Sequence, residues 1–118
     1  MPHILVLSTC ADLNSAEQLA ETLLSQRLAA CINILPGARS LYVWKGTMQR
    51  DNEVVLLIKT HTDRLEKLKQ VLPLLHPYEL PELIAVPIDD GLPAYLGWLD
   101  QQLGLQPEQA DNQLTDKQ

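Results

Sequence analysis

An α+β chain of the ferredoxin-like kind, β-α-β-β-α-β with a long β-hairpin and an extra C-terminal helix, is the fold this sequence predicts. Three observations carry the prediction. Residues 15–27 and 62–75 hold apolar side chains at three- and four-residue spacing, the pattern of a helix with one buried face. Four runs rich in Val, Ile and Leu alternate with and flank those stretches. The second and third runs are joined through Lys45-Gly46, a tight hairpin signal.

The first run, Ile4 to Leu7, reads as a buried strand. Asn14 and Ser15 then offer helix caps, and Ser15-x-x-Gln18 has the spacing of a capping box. Ala16, Leu19, Ala20, Leu23 and Leu24 form the apolar face of the first helix. Ala30 to Leu35 and Ser40 to Trp44 are two parts of one long strand, kinked or bulged at Pro36-Gly37, where a missing donor and a flexible residue are tolerated. Glu53 to Thr60 returns beside it. The second helix starts at Thr62 or Asp63, with Leu65, Leu68, Val71, Leu72 and Leu75 inward; Pro73 lies near its end and Pro77 stops it. Leu83 to Ile88 is the fourth strand, Asp89-Asp90-Gly91 a turn, and Ala94 to Leu103 a last helix ending at Gly104. Residues 1–104 thus form one domain. Residues 105–118, rich in Gln, Asp and Asn, are expected to be a disordered tail.

Composition narrows the function. The net charge of −6 and the absence of a basic stripe argue against nucleic acid. The longest apolar run, Val54 to Ile58, is too short to span a bilayer. Met1-Pro2-His3-Ile4 does not read as a signal peptide, so a cytoplasmic protein with Cys10 and Cys31 reduced is expected. No nucleophile–base set or phosphate-cradling glycine loop is present, which favours binding over catalysis. The hairpin offers Tyr42, Trp44, Val54, Leu56 and Ile58, more apolar surface than a small monomer needs, so a homo-oligomer joined at sheet edges is expected.

The segment His76-Pro77-Tyr78-Glu79-Leu80-Pro81-Glu82 concentrates an imidazole, a phenol and two carboxylates in a proline-stiffened connection. Together with Arg27-Leu28-Ala29-Ala30-Cys31-Ile32-Asn33, Ser40-Leu41-Tyr42-Val43-Trp44-Lys45-Gly46, Glu53, Ile58-Lys59-Thr60 and Tyr95-Leu96-x-Trp98, it resembles the CutA family of divalent-cation tolerance proteins over roughly residues 3–103. The resemblance implies a PII-like homotrimer built through the hairpins and a link to copper and other divalent cations; it implies no particular catalytic activity, and a non-enzyme is expected. Some members carry two adjacent histidines where this chain has Leu75-His76, and a thiol where it has Ser8.

His76 is the first metal candidate and Cys10 the second, since imidazole and thiolate suit copper. The competing readings are a helix-capping histidine and a small buried hydrophobe. No cofactor is obligatory. Lys59 and Glu53, six apart, share a face of one strand, and a lysine in an apolar strand calls for a carboxylate or an anionic ligand. With Tyr78, Tyr42 and Trp44 they define an alternative: a cleft between subunits that takes a small anionic metabolite in the manner of a PII-type signal protein. His3 and His61 have no evident partner in the sequence.

Overall fold

The computed structural model describes residues 2–105; residues 106–118 of the expected tail lie outside the described residues. In order, the elements are β1 (His3–Cys10), α1 (Leu13–Ser25), β2 (Cys31–Trp44), β3 (Thr47–His61), α2 (Leu65–Leu75), β4 (Ile84–Pro87) and α3 (Pro93–Gln102), with a 3-10 turn over Thr62–Arg64 leading into α2. The strands form one antiparallel sheet in the order β2-β3-β1-β4. The element order expected from the sequence is present.

Several boundaries differ, for identifiable reasons. Helix α1 begins before Ser15: Asp12 is its N-cap, and its carboxylate accepts the Ser15 amide at 2.7 Å. A charged acceptor at a helix N-terminus satisfies an orphan N–H and complements the helix dipole, so it displaces the Ser15 capping box. The helix ends at Ser25, and Arg27 takes φ +56° two residues later. The strands run longer than their apolar patterns, because the backbone ladder continues where the side chains turn polar.

The Pro-Gly irregularity is a β-bulge. Leu35 pairs with Val55 and Ala38 with Glu53, so Pro36 and Gly37 together oppose Val54. Pro36 has no donor to lose there, and Gly37 adopts φ +94°. At the tip, Lys45 (φ +50°) and Gly46 (φ +81°) make the two-residue turn whose twist matches a hairpin.

One face of the sheet carries the core. Val6, Leu56 and Ile58 meet Leu23 of α1 and Leu68 and Leu72 of α2, all fully buried. Helix α3 covers one end of the opposite face, where Leu99 and Leu103 close over Ala30. The rest of that face is left uncovered by helices. Leu5, Leu7, Val55 and Leu57 are half-buried on it, and Ile84 and Val86, their neighbours across the β1–β4 ladder, are exposed. The hairpin projects beyond the packed region with Leu41, Val43 and Met48 all more than half exposed.

Candidate functional site

The segment after α2 folds back over the end of β1 and joins it to the base of the hairpin. Pro77 prevents α2 from continuing, and His76 takes an extended backbone at φ −89°, ψ 136°. Its ring turns inward. Nε2 lies 2.7 Å from the Thr9 carbonyl and 3.7 Å from the Cys10 sulfur, and Nδ1 accepts the Tyr78 amide at 3.1 Å. A carbonyl only accepts and an amide N–H only donates, so the ring is the neutral Nε2–H tautomer, with both nitrogens engaged. Cys10 is fully buried, and its thiol is pushed up to about 11, by burial first and then by the charges of Asp12 and Glu53.

In front of this pair lies an open cleft of about 940 Å³. Thr9 and Ala11, the neighbours of Cys10, form part of its wall, with Tyr78 and Glu79 beside them. Alternation on β2 and β3 places Tyr42, Asp51 and Glu53 on one face of the hairpin, and the Tyr42 hydroxyl donates to Asp51. Tyr78 donates its hydroxyl to Glu53 at 2.7 Å. The carboxylate and burial together hold the Tyr78 phenol well above its usual range, burial being the larger cause. Glu79 and Glu82 add two further carboxylates to the lining, against one arginine, Arg50. The cleft is acidic and therefore suited to cations.

A sequence model of the "CutA1 divalent ion tolerance protein" family matches residues 4–102. The chain belongs to that family. The divalent-cation tolerance protein CutA of Yersinia pestis (strain Pestoides F) is 45% identical over 100 residues, 85% of this chain and 84% of that protein. The crystal structure of CutA from Xylella fastidiosa superposes with a TM-score of 0.84 at 45% identity, covering 87% of this chain and 99% of that one. CutA from Archaeoglobus fulgidus, described as a periplasmic divalent cation tolerance protein, superposes with a TM-score of 0.82 at 32% identity over 86% and 98%. The CutA family is thus named for tolerance of divalent ions and not for a reaction.

Within this CutA-family fold, the residues singled out from the sequence fall into three places. His76 and Cys10 adjoin each other. Tyr42, Trp44, Glu53 and Tyr78 all line the cleft. Lys59 does not join them: it shares Glu53's face but sits about 20 Å along the strand by the strand rise. Its ammonium lies 3.3 Å from the Tyr95 hydroxyl and over that ring, so the carboxylate partner expected for it is replaced within the chain by an aromatic one. Among the described residues, no group of three or more His, Cys, Asp and Glu side chains is arranged to hold a metal ion.

The surroundings of two further residues are not legible in the sequence. His3 and His61 face each other at the ends of β1 and β3, and His3 meets the fully buried Asp100 of α3. The one available signal was their strand-end position; the partner is 97 residues away along the chain. Ser8, at the position where some family members carry a thiol, is fully buried, and its hydroxyl has no hydrogen-bond partner among the described residues. No helix among the described residues is long and apolar enough to cross a membrane.

Proposed function

We propose that the chain is a cytoplasmic, homotrimeric, non-catalytic protein of divalent-cation tolerance that takes up copper at Cys10 and His76. The observation that carries this reading is the 3.7 Å approach of a thiol and an imidazole directly behind an acidic cleft. Carboxylates in the cleft raise the local cation concentration, and a soft sulfur beside an imidazole favours copper over hard ions. Two donors from one chain are an incomplete coordination set, so further ligands come from the cleft carboxylates or from solvent.

Loading has a defined cost in this geometry. The thiol must lose its proton, and that proton is released on binding. Coordination through Nε2 moves the ring proton to Nδ1, which breaks the bond from the Tyr78 amide. Copper affinity should therefore rise with pH while the thiol, at about 11, remains protonated. The trimer is supported by the uncovered apolar sheet face and by the exposed hairpin, both of which a second copy of the chain would bury. The acidic lining of the cleft favours a cation over the anionic metabolite of the PII-like alternative.

Isothermal titration with Cu(II) is the test. Binding by the natural chain should disappear in His76→Ala. Unchanged binding in that variant would remove the site assignment.

A further inference from the structure

His3, His61 and Asp100 are three buried ionisable groups that the metal reading does not use. The two histidines are register partners on the face that α3 covers, with ring centroids 5.4 Å apart, edge to face. His3 Nε2 lies 2.9 Å from Asp100 Oδ1. Asp100 Oδ2 is buried and has no partner among the described residues. His61 Nδ1 accepts the Asp63 amide at 3.0 Å, capping the 3-10 turn, so that nitrogen carries no proton. Helix α3 has a small apolar contact of its own, in which Leu99 and Leu103 are buried and Leu96 and Leu105 partly so. Its remaining anchors are polar: Asp100 to His3, Tyr95 to Lys59, and the Leu103 carbonyl to Arg64.

We infer that His3, His61 and Asp100 form an acid-sensitive latch that holds α3 on the sheet and releases it while the α1–α2 core stays folded. Protonating His61 has three consequences. It ends acceptance at Nδ1 from the Asp63 amide. It places a cation beside a ring already committed to Asp100. It buries that cation beneath α3, where lifting the helix hydrates it. The charges facing His61 divide: Asp63 and Asp100 favour its protonated form, while His3 and Arg64 oppose it. Burial is the largest influence and also opposes it, so the His61 pKa lies below its usual 6.5.

The sign of the pH effect follows. A histidine with a depressed pKa adds stability that is complete above its unfolded value of 6.5 and is lost as pH falls toward the folded value. Because α3 is the element over the ring, it opens first. Its opening displaces Tyr95 and Trp98, which stack at 5.7 Å beside Lys59 on the end of the sheet face that α3 covers.

Hydrogen exchange of the full-length chain, read by mass spectrometry at about pH 7.5 and about pH 5 and corrected for intrinsic rates, tests the latch. Peptides over 93–105 are expected to lose protection at the lower pH, while those of β1 and β3 keep theirs. In His61→Asn the side-chain oxygen still caps the Asp63 amide but does not titrate, so protection of α3 should be equal at the two pH values. His3→Gln, which retains a donor for Asp100, provides a second variant should the first not fold, and is expected to weaken the pH dependence. Equal protection of α3 in the natural chain at both pH values, loss of α3 and the core strands together, or an unaltered pH dependence in the folded variants would overturn the inference.

Discussion

Tyr78 donates its hydroxyl proton to Glu53 across 2.7 Å and so ties the connection after α2 to the base of the β2–β3 hairpin. The donor stands two residues from His76, and the acceptor pairs with Ala38, next to the bulge at Pro36-Gly37. One bond thus links the candidate metal residue, the cleft and the projecting hairpin. Tyr78→Phe keeps the ring packing and leaves the largely buried Glu53 without its partner. Chemical denaturation should report a loss of about 1.5 to 3 kcal/mol, the usual range for a bond to a charged acceptor; an unchanged midpoint would show that water replaces the hydroxyl without loss.

The two thiols should react at different rates. Cys10 is fully buried and held at about 11, whereas Cys31 is partly accessible. At pH 8 a thiol of that pKa is only about one part in a thousand thiolate. A disulfide reagent is expected to modify one cysteine of the native chain promptly and both in denaturant, and Cys31→Ala should abolish the prompt phase. Prompt labelling of Cys10 would contradict its burial.

The same raised pKa makes a stability prediction. The Cys10 pKa in the fold exceeds its ordinary value of 9.0, so the protonated thiol adds stability that is complete below pH 9 and declines as pH rises toward 11. Cys10→Ala should show a smaller decline over that window in thermal melts. An identical alkaline profile would assign the loss to other groups.

Ser8 presents a buried hydroxyl without a partner. Ser8→Ala removes that group at little change in volume, and should stabilise the chain by about 1 kcal/mol, because an unsatisfied buried hydroxyl costs roughly that much or more. A destabilised variant would indicate that the hydroxyl is satisfied in solution, by water or by a shifted rotamer.

Self-association is checked by light scattering, which should return about three times the 13.2 kDa chain mass. Replacing Val43 and Met48, cross-strand partners on the exposed hairpin, by lysine should lower that mass. A chain that is monomeric at micromolar concentration would remove the trimer from the proposal.

Much of the fold was legible along the chain because its determinants are local. The apolar spacing of Leu65, Leu68 and Leu72 sets a helix face, Lys45-Gly46 sets a turn, and Pro36-Gly37 sets a bulge, each through the geometry of a few consecutive residues. The cap of α1 is not legible in the same way, because Asp12 and Ser15 both suit the role, and their competition is settled by charge and backbone position rather than by type.

The sequence by itself determined the order of elements, the family resemblance and the set of residues rich in chemistry. Only the tertiary structure decided how that set divides: Cys10 with His76, Glu53 with Tyr78, Lys59 away with Tyr95, and His3 and His61 with Asp100. Those partners are 25 to 97 residues apart where side chains hydrogen-bond, and alternation along a strand gives a side chain's face but not its neighbour. Which long-range pair forms depends on how the connections after α2 and β4 return over the sheet, a choice made by burial of the whole chain and not by any one segment.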